Sequence, residues 1–168
     1  MDARWVDVED ALARSVHHFR MAALMFERHK DLLVLEPESE RAYEAKMALM
    51  HAVQSGYVSF EGMLKRILHL LGEDVPGGPS SHADLLQRVG KRLRLPGQER
   101  PPILGEHVVG LAEKVRKFRH RALYSYDDFD PGRAVQVFDA CRGLADLLPA
   151  EILSFREQVN PGAPGPVP

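Results

Sequence analysis

Apolar residues recur every third or fourth position through most of the chain, and glycine and proline gather in only three places, residues 76–79, 96–102 and from 161 onward. That spacing stacks side chains on one face of an α-helix, which turns about 100° per residue, so the stretches between the breaks are expected to be helical. Leu12, Val16, Phe19, Ala23 and Phe26 mark a first helix over about residues 6–33, ended by Glu36-Pro37. Ser39 suits the N-cap of a second helix reaching Leu71-Gly72. This helix carries two apolar stripes. One runs through Tyr43, Met47, Met50, Tyr57, Leu64, Leu68 and Leu71, the other through Leu49, Val53, Phe60, Met63, Ile67 and Leu70. Gln54 and Glu61 interrupt the first.

Ser81 with Asp84 resembles a capping box for a short helix over about residues 83–89, followed by a proline-interrupted connector. Leu104, Val108, Leu111, Val115 and Phe118 mark another helix. Asp130-Pro131 starts the last one, an N-cap followed by proline at the first helical position, and Pro149 is expected to kink or restart it. Neither strand-like alternation nor an internal repeat is visible. The expected fold is all-α: an up-and-down four-helix bundle with an additional short helix, over residues 1–159, then a disordered Pro/Gly-rich tail, 160–168.

With 45% apolar and 27% charged residues, the 168-residue chain has the make-up of a globular protein. No apolar run approaches the roughly 20 residues that cross a bilayer, and no secretory signal is visible, so no membrane partner is expected. One cysteine, Cys141, excludes an intramolecular disulfide framework and fits a reducing cytoplasm. The histidines, among them His17, His18, His29, His51, His69, His82 and His107, lack metal-ligand spacing, and residues 76–79 lack the lysine of a phosphate loop. Neither a metal nor a cofactor is expected.

The net charge of −2 hides one basic region. Lys114, Arg116, Lys117, Arg119 and Arg121 face one acid, Glu113, and lead through His120 into Tyr124 and Tyr126. Cations set beside aromatic faces suit an RNA strand, and poor compensation by acids favours phosphate binding over a merely solvated face. Arg119 and Tyr126 share a helical face, whereas Tyr124 lies about 140° around from Arg119 and His120 about 100°. For Arg119 and position 124 to act together, the helix must bend or end near Leu123, or a second subunit must complete the site. Glu61 is expected to be an accessory carboxylate, buried as the ion-pair partner of Arg119 or Arg121, because a lone buried carboxylate is costly.

Phe118-Arg119-His120, the spacing to Tyr126, the Asp-Pro helix start and Tyr57-Val58-Ser59-Phe60-Glu61 on the second helix resemble the HepT-like branch of the HEPN ribonucleases. That family's motif is Arg, four residues, His, any residue, Tyr. The resemblance spans about residues 6–155. It implies a dimeric four-helix bundle and a metal-independent endoribonuclease toxin. It also implies a partner, a minimal nucleotidyltransferase (MNT) antitoxin that adds AMP to the motif tyrosine. Arg119 then matches the motif arginine and Tyr126 the AMPylated tyrosine. Tyr124 stands where the motif has histidine, and a phenol with a reference pKa of about 10 is a poor base at neutral pH. The expected catalytic group is therefore Arg119 and Tyr124, with His120 a stand-in only after local rearrangement. Two functions follow: an attenuated ribonuclease, or a non-catalytic module that binds RNA, a nucleotide or a nucleotidyltransferase. A homodimer is expected in either case, from the excess apolar surface of the second helix.

Overall fold

The computed structural model describes residues 3–124 and 129–160. A 3₁₀ turn, Ala3–Trp5, leads into α1 (Val6–Leu35) and α2 (Glu40–Leu70). Then come α3 (Ser81–Val89), β1 (Leu93–Leu95), β2 (Gln98–Arg100), α4 (Glu106–Tyr124) and α5 (Pro131–Val159). The four long helices form an up-and-down bundle, so the all-α expectation holds. No described helix is long and apolar enough to cross a membrane.

α1 and α2 make a tight hairpin. Ser39 accepts a hydrogen bond from the Ala42 amide at 3.1 Å and caps α2. At its other end Gly72 adopts φ +70°, and the Glu73 amide reaches back to the Leu68 carbonyl, a glycine-dependent helix stop. Midway, the helices touch closely: Ser15 Oγ donates to the Gly56 carbonyl at 3.1 Å, and a Cβ on Gly56 would meet the Phe19 ring at 2.8 Å. α5 runs antiparallel to α1, with Phe26 stacked on Phe138 at 4.4 Å between centroids and Arg156 paired with Glu9. α4 lies against α5, where a Cβ on Gly143 would meet Leu111 at 2.8 Å. The core is continuous across all these helices and includes Phe19, Tyr57, Phe60, Phe138 and Phe155. Cys141 is wholly buried there, and burial pushes its thiol up to about 12.

Three local expectations are corrected. α3 begins at Ser81 with Ser80 in the cap position; the Ser80 hydroxyl donates to Asp84 Oδ2 at 2.6 Å, and no side chain caps the helix. Pro149 does not restart α5, which runs through it from Pro131 to Val159. It cannot donate to the Ala145 carbonyl, and Arg20 Nη2 from α1 approaches that oxygen at 3.5 Å. The connector holds a two-stranded antiparallel hairpin, with Leu93 opposite Arg100 around Pro96-Gly97, where Gly97 has φ +78°. Three-residue strands are too short to leave an alternating signature.

Arg100 fastens this hairpin to the bundle. Its Nε and Nη2 donate to the Glu73 carboxylate just past α2, and Nη2 also donates to the Arg88 carbonyl. Its Nη1 donates to the carbonyls of Lys91 and Pro101. Both side chains are buried, Arg100 at 4% and Glu73 at 7% exposure. With Leu85, Leu86 and Val89 of α3 also buried, α3 is held over the seam between α2 and α4.

Candidate functional site

α4 meets α2 over a shorter stretch than α1 does, and polar residues collect along this seam. The two polar interruptions in the apolar stripe of α2 both face it. Gln54 Oε1 accepts a hydrogen bond from Arg119 Nε at 2.6 Å. Arg119 Cζ sits 5.3 Å from the centroid of the Tyr57 ring, within cation–π range. The guanidinium is thus fixed on two sides while the residue stays half-buried.

Tyr57 is fully buried and its hydroxyl has no hydrogen-bond partner among the described residues. Burial pushes the phenol above its ordinary value, the Glu61 charge adds to this, and Arg116 and Arg119 oppose it. Glu61, 5% exposed, takes as its partner His82 of α3, with Nδ1 and Oε1 2.5 Å apart. The expectation that Glu61 pairs with Arg119 is therefore corrected: Gln54 takes Arg119, and α3 supplies an imidazole to Glu61. The Arg121 side chain lies outside the described residues. The role of His82 was not visible in sequence, because a histidine on a nine-residue helix shows nothing of the carboxylate that the chain fold brings beneath it.

The cations of α4 are better compensated than the sequence implied. Arg116 donates through Nε and Nη2 to the two Glu113 oxygens, each at 2.7 Å, and Lys117 Nζ lies 3.7 Å from the same carboxylate. These contacts, that of Arg116 above all, hold Glu113 below the usual carboxylate range. The candidate phosphate-binding residues also divide between two sides of the helix. Arg119 faces α2. Lys114 and Lys117 line a groove of about 290 Å³ toward α5, with Phe118, Val137, Gln136 and Arg133.

His120 is exposed. The backbone of α4 stays helical through Tyr124, so position 124 remains about 140° around from Arg119 within one subunit. The side chain of Tyr124, and Tyr126 altogether, lie outside the described residues. On α1, His18 is held below its ordinary value by burial and by the charges of His17 and His51. No cluster able to hold a metal ion occurs among the described residues.

Compared with known proteins, residues 48–159 match the model of a family described as HepT-like protein. The matched stretch contains Gln54, Tyr57, Glu61, His82 and Arg119. No curated protein and no solved structure matches the chain.

Proposed function

Because the chain belongs to the HepT-like protein family, we propose that it is the toxin subunit of a toxin–antitoxin pair, a metal-independent endoribonuclease of attenuated activity. The observation that carries this reading is the setting of Arg119. Its Nε is tied to Gln54 and its guanidinium lies over Tyr57, so the remaining N–H groups keep a defined direction. A planar, pre-oriented guanidinium suits a phosphate better than a flexible ammonium does. Lys114 and Lys117 add positive charge on the other side of α4, in the groove toward α5, and Arg116 and Arg121 belong to the same basic helix. Tyr124 replaces the motif imidazole, so proton transfer at that position is poor at neutral pH. The partner is an MNT-type nucleotidyltransferase, and Tyr126 is the residue that accepts AMP.

The test is cleavage of single-stranded RNA by the purified protein in the presence of a chelator. Slow cleavage is expected from the wild type and none from Arg119→Ala. Tyr124→His is expected to raise the rate by up to on the order of 10²-fold. If neither the wild type nor Tyr124→His cuts above the Arg119→Ala control, the ribonuclease reading fails. Salt-sensitive RNA binding without turnover would instead favour the non-catalytic module, a reading motivated by the tyrosine at position 124.

A further inference from the structure

We propose that His82, oriented by Glu61, is the general base of this protein's RNA cleavage and takes the place of the imidazole that the motif lacks. The inference rests on the ribonuclease reading above and assigns the proton transfer that reading leaves without a group.

The geometry is that of a carboxylate–imidazole dyad. Glu61 is 5% exposed and faces Nδ1 of His82, while the His82 side chain is 44% exposed. A carboxylate on Nδ1 keeps the proton there, fixes the ring, and leaves Nε2 as the basic nitrogen. Nε2 has no other hydrogen-bond partner among the described residues. The surroundings suit a phosphodiester. The Arg116 guanidinium lies close enough to Glu61 to feel its charge, and its own charge is held chiefly by Glu113. The buried Tyr57 hydroxyl lacks a partner and lies in the field of both Arg116 and Arg119. Glu61 lies seven residues beyond Gln54 on α2, about 10 Å along the helix axis, so the α2 partners of Arg119 and His82 share one face, with Arg116 one turn of α4 from Arg119. An RNA strand laid along the seam meets Arg119, then Arg116, then His82, with Tyr57 buried beneath. The titratable groups that the Glu61 carboxylate faces are His82 on α3, Arg116 on α4 and Tyr57 on its own helix.

The chemistry closes without a metal or a redox partner. His82 Nε2 takes the proton from a ribose 2′-hydroxyl, and the 2′-oxygen forms a bond to the adjacent phosphorus. The bond from phosphorus to the 5′-oxygen breaks, and that oxygen takes a proton from solvent while the imidazolium returns its own to solvent. The products are a 2′,3′-cyclic phosphate and a 5′-hydroxyl. His82 is the catalytic residue here and Glu61 a positioning residue.

The experiment measures the cleavage rate of single-stranded RNA from pH 5 to 9 for the wild type, Arg119→Ala, His82→Ala, His82→Gln and Glu61→Gln, with thermal melting of each. His82→Gln keeps a polar amide side chain but cannot accept the proton, and its melting temperature shows whether the fold is intact, so it separates chemistry from folding. The wild-type rate is expected to rise through the imidazole range and level off. In His82→Gln it is expected to fall on the order of 10²–10⁴-fold and to lose that rise. Glu61→Gln is expected to retain the rise at a lower plateau rate, since the ring is still a base but is no longer held in place. A His82→Gln enzyme within threefold of wild type overturns the proposal while the ribonuclease reading stands, and so does a slower enzyme with an unchanged pH profile. A wild type that cuts no better than Arg119→Ala removes the ribonuclease reading and this proposal with it.

Discussion

Arg100 engages all five of its guanidinium N–H groups, two with Glu73 and three with backbone carbonyls, in a buried setting. Removing one member of such a pair leaves the other charge buried and alone. Arg100→Met is therefore expected to cost about 3–5 kcal/mol of unfolding free energy in urea, and adding Glu73→Leu to recover most of it. A double variant no more stable than Arg100→Met would show that the carbonyl contacts, and not the stranded carboxylate, set the cost. Arg100 also shows where sequence reading stops. In the sequence it is one charged residue of a polar connector. Its burial depends on α2, α3 and the hairpin converging on it, which no local pattern encodes. Gln54 and Glu61 were half legible. Both stood out as polar residues on an apolar stripe, but their partners, Arg119 and His82, come from 65 and 21 residues away.

At the scale of elements, helix contacts depend on where a side chain is missing. A Cβ on Gly56 would meet the Phe19 ring at 2.8 Å, whereas one on Gly110 of α4 would meet nothing within 4 Å. Gly56→Ala is expected to destabilise by about 1–3 kcal/mol through overpacking of α1 on α2. Gly110→Ala is expected to stabilise by about 0.8–1 kcal/mol, since alanine is the better helix former and nothing obstructs it. Thermal or urea unfolding measures both, and equal effects would contradict the close approach at Gly56. The helices themselves were readable because their signals are local. Asp130 accepts from the amides of Gly132 and Arg133, as an Asp-Pro start predicts. The hairpin was not readable, because three residues in each strand are too few for a two-residue alternation to stand out.

Over the whole molecule, packing is uneven. α1 lies along both α2 and α5, and α5 along α4, while α4 closes against α2 less extensively. The polar seam occupies that lighter side. The first stripe of α2 is covered at Tyr57, Leu64 and Leu68, yet Tyr43 is 63% exposed and Met47 37%, with Val58 on the same helix at 52%. Apolar side chains left in water beside a candidate site favour association, and the proposed homodimer would cover them. Sedimentation is expected to give a dimer at micromolar concentration and a shift toward monomer for Met47→Glu. A monomeric wild type would refute this. Cys141, the one thiol of the chain, lies in the α5 core far from reagents. A thiol-labelling compound can reach it only when the helices part, so the labelling rate reports how often the closed structure breathes. Followed with and without RNA, that single atom becomes a clock for whether ligand on the seam keeps the bundle shut.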